Sequence, residues 1–186
     1  MEPDLAAALA HSDLLFDRHA IDIAIARMAD AIRDDYKGQR PLLLTVMHGG
    51  MLFASELALA LGQGNAFDLE FDFLHATRYR GATSGTDLQW MHRPATPLQG
   101  KHVLLADDIL DEGYTLDAVR TWCREQGAAD VRIAVMTRKL HDRCVPGMRT
   151  DYVGVEVPDR YVYGFGMDYH EQGRNLPAIY ALRDDA

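Results

Sequence analysis

Val103-Leu104-Leu105-Ala106-Asp107-Asp108-Ile109-Leu110-Asp111-Glu112-Gly113-Tyr114-Thr115-Leu116 is the stretch on which the reading of this chain turns. Four apolar residues after Lys101-His102 suit a strand buried on both faces of a parallel sheet. The strand ends in two adjacent carboxylates, and a third, Asp111, follows three residues later. Gly113 permits a tight turn and close approach of a ligand to the backbone. Thr115 then opens a periodic segment that Gly127 closes, so the spacing predicts a strand through Asp108, a turn over Ile109–Gly113 and a helix over Thr115–Gln126. The amides from Gly113 to Leu116 would sit at the positive end of that helix, which is a site for a phosphate group, with the Thr115 hydroxyl as a further donor. Carboxylates repel phosphate. Asp107 and Asp108 are therefore assigned to the hydroxyls of a sugar or to Mg²⁺, which takes oxygen ligands. A ligand with a phosphate at one end and a ribose diol beside it satisfies both halves, and Asp111 faces whatever is joined to the sugar. The plain alternative is a helix capped by Asp111 and Thr115, which leaves the repulsion between Asp107 and Asp108 without a purpose.

The same alternation extends in both directions. Ile21, Ile25, Met28 and Ile32 mark one face of a helix over His19–Tyr36, closed by Lys37-Gly38. Pro41–Met47 reads as a buried strand, His48-Gly49-Gly50 as a turn, and Met51–Leu61 as a helix ending at Gly62. In Ala66–Ala76, Phe67, Leu69, Phe71 and Phe73 alternate with Asp68, Glu70 and Asp72, which predicts a half-buried strand. Thr77–Arg93 carries glycines and small polar residues and is expected to be a long loop or loose hairpin. Val131–Thr137 and Tyr152–Val157 read as further strands, and Asn175–Leu182 as a short helix. Strands alternating with helices predict an α/β fold whose mostly parallel central sheet is flanked by helices. Ligands then bind beyond the carboxyl ends of the strands.

Bulk properties bound the partners. The 186 residues point to one domain, 1–186, able to bury about 70% of its extended surface. With 19 Lys and Arg against 28 Asp and Glu the formal charge is −9, which argues against a broad nucleic-acid-binding surface. Cys123 and Cys144 are too few for a disulfide framework and read as reduced thiols. His141 and Cys144 lack a second ligand pair at zinc-like spacing. No apolar run reaches membrane-spanning length, and the Glu-Pro-Asp start lacks the basic segment of a signal peptide, so a cytoplasmic protein without membrane partners is expected.

Asp107–Thr115 resembles the phosphoribosyl-pyrophosphate (PRPP) motif of the type I phosphoribosyltransferases, with Glu112 and Tyr114 standing where threonine and a basic residue are common. The resemblance is to the hypoxanthine-guanine branch and runs from about Leu42 to Leu182. Met47-His48-Gly49-Gly50 is similar to the turn that meets pyrophosphate, with His48 in place of a cation. Phe73–Trp90 is similar to the mobile loop over the active site, with Arg78 in place of serine as an extra cation. Asp159–Glu171 with Arg174 is similar to the base-binding segment, with His170 in place of asparagine.

The resemblance implies a type I phosphoribosyltransferase fold with a small hood, a mobile loop near 77–93 and a base-binding segment near 138–175. It implies purine salvage: transfer of the 5-phosphoribosyl group from PRPP to N9 of hypoxanthine or guanine, in a homodimer or tetramer that uses Mg²⁺. Asp111 would be catalytic. Asp107, Asp108, Glu112, Gly113, Tyr114, Thr115, His48, Gly49, Arg78 and Arg174 would bind PRPP and its phosphates. Lys139, Tyr161 and Val162 would hold the purine through its 6-oxo group, its face and its edge. Asp168, with Asp107 and Asp108, would serve the metal. A xanthine-guanine enzyme, a regulator of this fold that binds RNA and an inactive nucleotide-binding module are the alternatives.

Overall fold

The computed structural model describes residues 4–64, 67–78 and 88–184. In chain order the elements are α1 (Leu5–Ala10), β1 (Ser12–Phe16), α2 (Arg18–Asp35), β2 (Leu42–Val46), α3 (Gly50–Gly62), β3 (Glu70–Arg78), β4 (Leu88–His92), β5 (His102–Leu110), α4 (Tyr114–Glu125), β6 (Asp130–Leu140), β7 (Tyr152–Pro158), β8 (Val162–Tyr163) and β9 (Ile179–Leu182).

Six strands form the main sheet in the order β4-β3-β2-β5-β6-β7. All neighbours are parallel except the β3–β4 edge pair. The chain leaves β2 for β3 on one side and returns to β5 on the other. The order therefore reverses between β2 and β5, and a crevice opens at their carboxyl ends. The central strands are apolar on both faces because both are covered. Leu43, Leu104, Ala106 and Ala134 pack with α2 and α3, while Leu42, Leu44, Val103, Leu105 and Val135 pack on the other side with Leu116, Val119 and Cys123 of α4. Burial pushes the Cys123 thiol up to about 12, which makes it an inert core residue.

Several expectations are corrected. The strand at the third position continues through Ile109 and Leu110, which pair with Thr137 and Arg138. β6 is long enough to supply partners that far, so only Asp111–Gly113 remain for the turn. Phe71 and Phe73 lie on the exposed side of β3, at 63% and 40% exposure. The acids between them are the partnered side: Glu70 meets Lys101 at 2.6 Å, and Asp72 accepts the Thr96 amide at 2.7 Å. The segment expected as a C-terminal helix contains strand β9, which pairs antiparallel with both β1 and β8 in a separate three-stranded sheet. Asp13 ties this small sheet to Arg160 (2.8 Å) and Arg183 (2.9 Å), and the two guanidiniums hold its carboxyl below the ordinary range. Thr77–Arg93, expected as a long loop or loose hairpin, takes the second form where it is described: Leu88–His92 pair antiparallel with His75–Arg78. Residues 79–87 and the Arg78 side chain lie outside the described residues, so the expectations for that loop and that cation rest there. Among the described residues no helix is long and apolar enough to cross a membrane.

Candidate active site

The site is assembled from the carboxyl ends of β2, β5 and β6 and from the segment that follows β8. At the end of β5, Asp107 Oδ1 accepts the Asp108 amide at 2.9 Å. Burial raises both carboxyls above their ordinary range, and for Asp107 the neighbouring Asp108 charge raises it further, while Arg174 works in the opposite direction. The pair thus favours a shared proton until a cation or hydroxyl donors face it.

Gly113 ends the turn in the left-handed region at φ 82°, and it is the N-cap of α4. A side chain there would be strained, and its Cβ would meet Met148 and Leu110 at 2.8 and 3.0 Å. No side chain caps the helix, so the capping alternative fails. Thr115 is inside the first turn, and Asp111 is engaged elsewhere. Its Oδ2 accepts from Lys139 Nζ at 2.6 Å and its Oδ1 meets His141 Nε2 at 2.7 Å. Burial pushes the Asp111 carboxyl up, but hydrogen bonds from Lys139 and His141 overcome it and leave the group below its ordinary value. The first turn of α4 therefore faces the crevice with its dipole uncompensated by a cap.

Across the crevice, β2 ends in the Met47–His48 turn, whose peptide is cis. The His48 and His75 rings lie 4.4 Å apart. Burial, the neighbouring His48 and Arg174 all lower the His75 pKa. Gly50 starts α3 hard against the main chain of β5, 2.7 Å from the Ala106 carbonyl oxygen to its would-be Cβ. Arg174 enters from the far wall. It donates to the Gly166 carbonyl at 2.8 Å and pairs with Asp168 at 2.7 Å. Asp168 in turn accepts the Glu171 amide at 2.8 Å.

A cleft of about 760 Å³ collects His48, Gly49, Asp107, Asp108, Asp111, Glu112, Gly113, Tyr114, Thr115, Asp168 and Arg174. A smaller pocket of about 220 Å³ shares Asp108, Asp111 and Asp168 with it and adds Lys139, Tyr161 and Val162. All the expected site residues with described side chains therefore converge on two adjoining spaces. The aromatic series splits. Tyr161 is 45% exposed at the pocket mouth, whereas Tyr163 and Phe165 are buried in the core. His170 stacks beside Tyr161, with ring centroids 6.1 Å apart. Residues that sequence reasoning passed over are Ile109, Met167, Glu171, His75 and Thr77, which line these spaces, and His141, which holds Asp111. His141 had one legible signal: it stands two residues beyond Lys139, on the same face of an extended segment.

Asp107, Asp108 and Asp168 offer the hard oxygen donors that Mg²⁺ takes, and a cation beside the first two would offset the burial that raises both carboxyls and the Asp108 charge that raises Asp107 further. No three metal-ligating side chains converge on one point among the described residues. The donor set therefore fits a cation that keeps water and is held largely by substrate phosphates, the usual state of Mg²⁺.

Comparison with known proteins agrees with this geometry. Residues 11–170 match the phosphoribosyl transferase domain family. The hypoxanthine-guanine phosphoribosyltransferases of Streptococcus pneumoniae and Streptococcus thermophilus are each 31% identical over 173 residues, covering 92% of this chain and 93% of theirs. Among solved structures, hypoxanthine phosphoribosyltransferase of Staphylococcus aureus superposes with a TM-score of 0.87 at 25% identity, covering 98% of both chains. That of Trypanosoma cruzi gives 0.86 at 29% identity, covering 93% of this chain and 92% of its own. These relatives do not favour the xanthine-guanine or RNA-binding alternatives. With a domain match over residues 11–170 and these relatives, the chain belongs to the phosphoribosyltransferase family.

Proposed function

We propose that the protein transfers the 5-phosphoribosyl group of PRPP to N9 of hypoxanthine or guanine, releasing pyrophosphate. The observation that carries this reading is the Lys139–Asp111 pair at 2.6 Å on the wall of the smaller pocket. A 6-oxopurine in its N7–H form offers an acceptor at O6 and a donor at N7. It replaces the ion pair with two matched bonds: Lys139 Nζ donates to O6, and N7–H donates to Asp111 Oδ2. Adenine carries a donor where Lys139 needs an acceptor, and a site built on such a bond rejects the wrong group strongly. Tyr161 stacks on the purine face, and Val162 meets its edge.

The first turn of α4, with Gly113, Tyr114, Thr115 and Glu112 supplying backbone and hydroxyl donors, receives the 5′-phosphate. Asp107 and Asp108 accept from the ribose diol. The His48-Gly49 turn and Arg174 face the pyrophosphate. Asp168, Asp107 and Asp108 would hold Mg²⁺ bound with PRPP, and the ion would supply neutralisation of the leaving pyrophosphate's charge. As the bond from C1′ to the pyrophosphate oxygen breaks and positive charge grows on the sugar, the aspartates beside it stabilise that charge. N9 attacks C1′, and the N7 proton passes to Asp111.

The test is nucleotide formation from PRPP with hypoxanthine, guanine, xanthine and adenine. Turnover with a 6-oxopurine and none with adenine is expected, and no product from any base would overturn the reading. Self-association belongs to the same proposal. Met51 and Leu59 lie on one stripe of α3, with exposed Phe71 beside Met51. Light scattering of Phe71→Glu should give a smaller particle than the parent chain, and an unchanged mass would remove that face from the assembly.

A further inference from the structure

Asp111 is held at both oxygens, and only one of its partners has a place in the reaction proposed above. Lys139 leaves Oδ2 for the purine. His141 remains on Oδ1, 2.7 Å away, with a side chain only 3% exposed. Its other ring nitrogen is also occupied: His141 Nδ1 accepts the backbone N–H of Arg143 at 3.1 Å. That bond fixes the tautomer, since Nδ1 must be unprotonated to accept and the ring proton is then on Nε2, pointing at Asp111. Protonating Nδ1 would set one N–H against another, so the Arg143 amide in the turn after β6 selects the Nε2–H tautomer.

We propose that His141 is a positioning residue for the proton transfer. Its Nε2–H pins Asp111 Oδ1 and leaves Oδ2 as the one oxygen presented to purine N7. This inference rests on the transferase reading above. A carboxylate on a flexible turn rotates freely and can offer either oxygen at a poor angle, and the one bond that survives the departure of Lys139 removes that freedom. The neutral donor has a second effect. A hydrogen bond to the ionised carboxylate keeps it ionised, yet a neutral donor does so more weakly than an imidazolium, so Asp111 remains able to accept a proton. Other charged and titratable groups on the walls shared with Asp111 include Asp108 and Asp107 of β5, Glu112 beside it, Tyr161 and Asp168 across the smaller pocket, and Arg174, Glu171, Tyr114, His48 and His75 around the cleft. The Arg143–Asp159 ion pair lies beyond it, and the Cys144 thiol donates to its backbone carbonyl at 3.0 Å.

The experiment compares the full chain with His141→Leu and His141→Gln, whose side-chain amide can replace Nε2–H. For His141→Leu, kcat with hypoxanthine should fall about tenfold to a hundredfold, the range for losing a group that orients an active residue. Its KM for PRPP should stay within about twofold, and the acid limb of its pH profile should move to higher pH. His141→Gln should recover turnover to within about threefold and return the limb. In the unmodified protein, ¹⁵N spectra of the ring should report the Nε2–H tautomer at neutral pH. Turnover of His141→Leu within twofold of the parent with an unmoved limb, equal losses in both variants, or an Nδ1–H or imidazolium ring would each overturn the proposal. Should His141→Leu fail to fold, the glutamine variant and the ring spectrum still decide it. Should the parent chain make no nucleotide from any purine, the transferase reading fails, while the spectrum still tests the pinned carboxylate.

Discussion

Gly50 and Gly62 begin and end the same helix, and alanine at these two positions should act in opposite directions. Intrinsic propensity favours alanine over glycine in a helix by up to about 1 kcal/mol, somewhat less at the ends. At Gly62 a Cβ would meet nothing within 4 Å. Gly62→Ala should therefore be neutral or stabilise by up to about 1 kcal/mol. At Gly50 the same Cβ would stand 2.7 Å from the Ala106 carbonyl oxygen and 3.0 Å from the Asp107 Cα. Both are main-chain atoms of a central strand and cannot swing aside, so α3 must back away from β5. Overpacking of this kind costs about 1–3 kcal/mol. After subtracting the propensity gain, a net loss of about 1–2 kcal/mol is expected, or about 2–8 °C in Tm for a domain of this size. The displacement also moves the His48-Gly49 turn relative to Asp107 and Asp108, so the KM for PRPP should rise with the fall in Tm. Thermal denaturation followed by circular dichroism, with steady-state kinetics on the same samples, measures both. A Gly50→Ala protein that melts at or above the parent temperature and binds PRPP normally would refute the reasoning. So would equal shifts in the two variants, because propensity alone would then account for both.

Asp111→Asn should lower turnover by about 10²–10⁴-fold, the range for a lost general base, with the KM for PRPP nearly unchanged; steady-state assays with each substrate varied in turn separate the two. Lys139→Met should lower kcat/KM for hypoxanthine about tenfold to a hundredfold, the worth of one hydrogen bond from a charged donor, without creating activity towards adenine. Asp107→Asn should stabilise the fold while removing activity, and the gain should depend on pH. Burial and Asp108 raise the Asp107 pKa in the folded state, so unfolding releases a proton above the unfolded value of 3.8 and native stability falls as pH rises from there. Asparagine cannot ionise, so the Tm difference between variant and parent should grow from pH 4.5 to pH 8; a constant or shrinking difference would contradict the assigned burial.

The parts of this fold written in contiguous sequence were legible. The strand–turn–helix at 103–116 carries its apolar run, its acids and its glycine within one short segment, and local rules suffice to read it. What local rules miss is decided by partners far away. Ile109 and Leu110 look like turn residues until Thr137 and Arg138 of β6 are available to pair with them. The period of two in Phe71 and Phe73 identifies a strand but not its inner face, which Lys101 and Thr96 select by capturing Glu70 and Asp72. Ile179–Leu182 is a short apolar run that fits helix or strand equally well, and its partner Ser12–Phe16 lies at the opposite end of the chain. The candidate site follows the same division. The Asp107–Thr115 turn announces itself, and Lys139, Tyr161 and Arg174 were reached through the family resemblance. His141 was passed over because nothing in the sequence shows that Asp111, thirty residues earlier, stands opposite it.

The pairing of β9 with both β1 and β8 bears on the timing of assembly at the ribosome. Ser12–Phe16 is synthesised well before Ile179–Leu182, yet Val162 and Tyr163 are buttressed only once both are in place. A nascent chain can lay down the parallel strands, and with them the crevice at their carboxyl ends, before the wall carrying Tyr161 has anything to lean on. On the proposed reading, base selectivity therefore waits on the closing of this small sheet. Deleting the last few paired residues should abolish discrimination among bases before it dissolves the central sheet.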